Sequence, residues 1–221
     1  MIRTGKIRTF VGCILMGACA SVASAEDVLS FTFSDLNGSF DAGSSLFTAV
    51  DDADSDGDVT RLIAPVGDAF FAGTLGDGGF APDAAFDLSL TLADITMLDA
   101  TAIGALTITD LTGDQITADV TGNWLYNGSA NFVGVLSNVT IVDVNADGTF
   151  DGDGSSGFSL AFPDDLAGNT IALAFDTWFT DDASEPQDFA GVTTLASGAI
   201  VPEPATLALL AFGGLIAGRR R

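Results

Sequence analysis

The chain has 221 residues, enough for one domain plus processing segments, and 48% of it is hydrophobic, so it can build a core. Its 30 acidic residues face 7 basic ones, and six of those seven lie near the two ends (Arg3, Lys6, Arg8, Arg219, Arg220, Arg221), leaving Arg61 alone between them. A body so short of cations cannot neutralise phosphates, which excludes nucleic-acid binding; without any His, and without Cys or Lys after residue 25, it also lacks Ser-His-Asp, Cys-His, Schiff-base and His-zinc chemistry.

At the N-terminus, the basic start is followed by an apolar run from Phe10 to Ala20, then Ala23-Ser24-Ala25 and Glu26. Small residues at Ala23 and Ala25 occupy the two positions that signal peptidase reads, so residues 1–25 read as a secretory signal peptide cut after Ala25. The apolar run is short for a transmembrane helix. Met16-Gly17-Ala18-Cys19 resembles a lipoprotein box, with Met where Leu is usual, and lipidation of Cys19 is the minor alternative. Cleavage after Ala25 removes Cys13 and Cys19, so the mature domain has no disulfide or thiolate chemistry.

Residues 26–200 form the domain. Short apolar or alternating stretches recur between Gly, Asp, Asn and Pro clusters: Leu29–Leu36, Ser45–Val50, Val59–Ile63, Ala69–Gly73, Phe86–Ala93, Ile103–Asp110, Gln115–Gly122, Phe132–Val144, Phe158–Phe162, Thr170–Phe179 and Val192–Ile200. Alternation is clean in Leu88-Ser89-Leu90-Thr91-Leu92, and β-branched residues and Phe fill the runs. The expectation is an all-β two-sheet sandwich, with a jelly roll as one form of it. One short helix within Leu92–Leu106 is the local alternative.

Two acidic segments share one plan. Asp52, Asp54, Asp56 and Asp58 alternate through the first, with Gly57 at its sixth position; Asp143, Asn145, Asp147 and Asp151 mark the second, with Gly148 at its sixth. Oxygen ligands at alternate positions can curl around one hard cation, and Gly allows the sharp turn. Both segments resemble EF-hand and dockerin calcium loops, which makes calcium the candidate cofactor. Both depart from that pattern at the twelfth position, occupied by Ile63 and Gly154 instead of a bidentate acid. A site would need a carboxylate from elsewhere, with Asp153 the nearest candidate for the second loop. The competing reading is a solvated acidic turn.

Trp124 and Tyr126 alternate with Leu125 and so share a strand face, where they could stack on a sugar ring; core packing is the commoner use of such residues. A carboxylate pair of the glycosidase type would have to come from the many Asp residues, since Glu26 and Glu185 are the only glutamates before residue 203. No catalytic residue stands out.

The C-terminal segment, residues 201–221, has three parts. Pro202-Glu203-Pro204 keeps the chain extended, Ala205 to Gly218 is apolar on all sides, and three arginines follow. As a helix the fourteen apolar residues reach about 21 Å, short of a bilayer core. In this order the three parts resemble the PEP-CTERM sorting signal, a segment also labelled an ice-binding protein C-terminal domain. The resemblance implies transient membrane anchoring through the helix, recognition by an exosortase (a membrane transpeptidase-like enzyme) with cutting near the Pro-Glu-Pro, and association with exopolysaccharide or biofilm matrix. The expected protein is exported, acts at the cell surface or in the extracellular matrix, and has a non-catalytic structural or adhesive role stabilised by calcium. The alternatives are a polysaccharide- or ice-binding module and a carboxylate-dependent glycoside hydrolase.

Overall fold

The computed structural model describes residues 29–62, 67–72, 85–154, 160–161, 166–181 and 185–202. The expected signal peptide with Ala23 and Ala25, the sorting residues Glu203 and Pro204, and the apolar run after them lie outside these residues. Every regular element described is a strand: β1 (Leu29–Asp41), β2 (Leu46–Val50), β3 (Asp56–Arg61), β4 (Gly67–Ala72), β5 (Ala85–Ala93), β6 (Asp99–Thr109), β7 (Gln115–Tyr126), β8 (Ala130–Val142), β9 (Thr149–Phe150), β10 (Leu160–Ala161), β11 (Leu166–Phe175) and β12 (Phe189–Pro202). Among the described residues no helix is long and apolar enough to cross a membrane.

Each alternating stretch of the sequence contains or overlaps a strand. The helix considered for Leu92–Leu106 is absent: the region holds the end of β5, a turn and most of β6. Thr96 makes the turn, since its hydroxyl accepts from the Asp99 amide (3.0 Å) and donates to the Asp99 carboxylate (2.8 Å). A side chain bonding its own local backbone competes with helical hydrogen bonds.

The architecture corrects the expected sandwich. Strands β1, β2, β5, β6, β7, β8, β11 and β12 pair antiparallel in that order, and β12 returns to β1, closing an eight-stranded barrel. Closure rests on the length of the first and last strands, which pair from Leu29↔Ile200 to Phe40↔Phe189. Joining them covers the edges that β1 and β12 would otherwise leave open. A bulge between Phe33 and Leu36, with Asp35 at φ 55°, divides the other side of β1 between two partners. Leu29–Ser34 pair with β3 and Asn37–Asp41 pair with β2, so the β3–β4 hairpin branches off the barrel wall.

Side-chain alternation fills the lumen. Trp124, Phe47, Phe132 and Phe179 are buried there, with Trp124 5.2 Å from Phe47, 5.1 Å from Phe132 and 5.1 Å from Phe179, ring centre to ring centre. Thr101, Thr121, Asp119 and Ser137 face outward. The apolar Ile103, Leu125, Val133, Val135 and Leu195 are exposed on the same outer wall, so the lumen is apolar and the outside is mixed. Gly104 lets β6 pass close over β5: a Cβ there would strike the Ser89 carbonyl, and it would lie 2.9 Å from Leu90 Cα.

The register also sets which loops share a rim. β1 begins and β12 ends at one end of the barrel. The β6–β7 turn and the exit of β8 open at that same end, because Thr109, Gln115 and Val142 lie side by side. That rim carries the acidic site.

Candidate functional site: an acidic corner at the barrel mouth

The β6–β7 turn is organised by Asp110, whose side chain is fully buried. One of its carboxylate oxygens accepts from the Thr112 amide (2.9 Å), the Thr112 hydroxyl (2.8 Å) and the Asp114 amide (2.9 Å). The other accepts from the Asp151 amide (2.7 Å), forty-one residues away. Burial raises the Asp110 carboxyl above its ordinary value, and these hydrogen bonds oppose that rise.

The residues that follow Asp151 tie the mouth together. Gly152 lies at φ +62° against the backbone of β4, where a Cβ would meet the Phe70 amide nitrogen at 2.8 Å. Its carbonyl accepts from the Leu111 amide (2.7 Å), and the Asp153 amide donates to the Phe70 carbonyl (2.6 Å). The 151–154 turn therefore bridges the β3–β4 hairpin to the β6–β7 turn, across the gap left where that hairpin branches away.

Beside this bridge sits the second acidic segment. Asp143 accepts from the Gly148 amide (2.9 Å), Asn145 from the Asp147 amide (2.9 Å), and Asp147 from the amide (2.8 Å) and hydroxyl (2.7 Å) of Thr149. The Thr149 bonds hold the exposed Asp147 carboxyl below its ordinary value. Asp114, fully buried on the neighbouring turn, accepts from the Val144 amide (2.5 Å) and so reaches into the loop. One carboxylate oxygen each from Asp114, Asp143 and Asp147 lies within 4.8 Å of the others. Oxygen ligands around a single calcium at about 2.4 Å each can be no farther apart than this. The donor set, oxygen only and anionic, suits a hard cation.

The acid that the structure brings beside Asp143 and Asp147 is Asp114, whereas sequence spacing pointed to Asp153. Asp153 is buried in the bridging turn, and Asp151 contributes its amide to Asp110. Nothing in the linear pattern marks Asp114, because it belongs to another loop and meets the segment only through the β6–β7–β8 pairing.

The first acidic segment takes a different form. Asp52 makes a tight turn, accepting from the Asp54 amide (2.9 Å), while its own amide donates to the Ser55 hydroxyl (2.8 Å). Ser55 donates in turn to the Asp35 carbonyl at the β1 bulge (3.0 Å). Asp56 and Asp58 then run along β3, paired with β1 on one side and β4 on the other. An extended strand cannot curl round an ion, and among the described residues these four carboxylates do not gather. Burial, then the charge of Asp68, raises the Asp58 carboxyl.

Trp124 is likewise corrected as a sugar contact. It is wholly enclosed in the lumen, and Tyr126 stacks on Trp178 at 5.3 Å near the opposite rim, so no exposed aromatic pair forms. Glu185 lies exposed in a loop, its amide donating to Asp181 (3.0 Å).

Residues 201–221 match a family model described as the PEP-CTERM protein-sorting motif. No curated protein and no solved structure matches the chain.

Proposed function

We propose, from a chain that carries a PEP-CTERM protein-sorting motif and is on that account an exported protein recognised by an exosortase, that the barrel is a non-catalytic structural domain of the cell surface or extracellular matrix, locked by calcium at its mouth. The motif carries the sorting half of this reading. The convergence of Asp114, Asp143 and Asp147 to within 4.8 Å carries the calcium half.

Like charges brought this close repel, and the partners described above are neutral amides and hydroxyls. A divalent cation turns that repulsion into attraction. Asp114, Asp143 and Asp147 would hold it, with the side-chain oxygen of Asn145 within the same loop. The bound ion would fasten the β8–β9 loop to the β6–β7 turn, which Asp110 already ties to the 151–154 bridge. Calcium in the millimolar range, about that of extracellular modules, raises the melting temperature in this reading. The double variant Asp143→Asn, Asp147→Asn should melt at a temperature that calcium leaves unmoved; a wild-type melting temperature equally indifferent to calcium would refute the lock. Intact mass of the exported protein tests sorting, with a mature end near Pro204 expected.

A further inference from the structure

The sorting motif and the barrel share residues. The motif begins at Val201, whereas β12 runs on to Pro202. Pro202 lies opposite Leu166 and Val201 opposite Ala167 on β11, and Ile200 lies opposite Leu29 on β1. No linker separates the strand that closes the barrel from the Pro-Glu-Pro that the sorting enzyme reads.

We propose that the barrel gates its own sorting: the exosortase engages the motif only when the end of β12 peels away from β11. The proposal rests on the sorting reading above. A peptide is held in an enzyme's groove as an extended chain with its backbone groups available, and beyond Ile200 the end of β12 is still laid along β11, which occupies one of its two edges. When the bond near Pro-Glu-Pro is cut, its acyl group passes to the enzyme's nucleophile and the tail leaves as the free amine, so that nucleophile must approach within bonding distance. A folded rim only one or two residues away stands in its path. Opening of the last ladder pairs is a local event, far easier than global unfolding, and a strand terminus is where it begins. Proline suits this position: it offers no N–H to the ladder, so the outermost pair is already the weakest.

The test inserts six Gly/Ser residues between Ile200 and Val201, leaving motif residues 201–221 and the barrel to Ile200 intact. Processing is followed by pulse-chase in the exporting cell, with the melting temperature of the purified domain as the check on folding. The expected result is a processing rate roughly tenfold higher, the factor that about 1.4 kcal/mol of removed opening cost produces. Wild-type and linker chains processed at equal rates would overturn the gate while leaving the sorting reading standing. A wild-type chain that the exosortase never cuts would overturn both.

Discussion

Asp110 keeps its carboxylate out of water while serving four donors, three from its own turn and one from the Asp151 amide. Its folded-state affinity for a proton is raised, so protonation favours the fold. The stability it contributes is present at and below the ordinary carboxylate value of 3.8 and is lost as pH rises through its higher folded value. Asp147 works in the opposite sense, since its lowered value makes stability fall in still stronger acid. Calcium-free protein should therefore gain stability as pH drops from neutral towards 3.8, and Asp110→Asn should flatten that rise in a series of urea titrations across pH. The same variant sets an amide NH₂ against the Asp151 amide and should cost about 1–3 kcal/mol at neutral pH. Trp124 makes a second case at this scale. The described structure gives its buried indole N–H no hydrogen-bond partner, so the ring's value lies in its volume. Trp124→Ala should cost about 3–5 kcal/mol, and Trp124→Phe much less, as read from urea midpoints.

Among the elements, β5 and β6 show how the close pairing of two neighbouring strands rests on one small residue. Gly104→Ala would drive a methyl group into the Ser89 carbonyl, which belongs to the neighbouring strand and cannot swing aside. The expected cost is about 1–3 kcal/mol by chemical denaturation. Strand existence was legible because alternation is local: Leu88, Leu90 and Leu92 point inward wherever the sheet goes. Closure was not legible, since sandwich and barrel use the same alternating strands and differ only in whether β1 meets β12. The two-residue β9 also escaped notice, its Phe150 being an isolated apolar residue among Asp and Gly. Half of the acidic site was readable for the same reason. Asp143, Asn145 and Asp147 lie within one segment, whereas Asp114 arrives through strand pairing across 29 residues, as its bond to the Val144 amide (30 positions away) makes plain. The first acidic segment repeats the sequence pattern without gathering its carboxylates, because Ser55 and the β1 bulge draw it into a turn and a strand.

For the whole molecule, a formal net charge of −23 works against compactness, and that repulsion grows as salt is diluted. Calcium at the mouth would neutralise part of that charge at Asp114, Asp143 and Asp147. The rise in melting temperature with calcium should accordingly be larger at low ionic strength, and magnesium, which demands a tighter octahedral shell, should raise it less. Differential scanning at two salt concentrations distinguishes a bound ion from general screening, since screening by added sodium chloride would be matched in the Asp143→Asn, Asp147→Asn variant.

Leu29 and Ile200 face each other across one pair of strands, so the barrel meets its own beginning at the place where it finishes. The order in which the strands are threaded is then separable from the shape they make. A chain in which a short Gly/Ser bridge joins Pro202 to Leu29, and new ends are opened at Gly128 in the tight β7–β8 turn on the far rim, should fold to the same barrel, with the same near-ultraviolet circular dichroism from Trp124 and its surrounding rings. Circular permutation of this kind would leave a domain that closes without either of its natural ends.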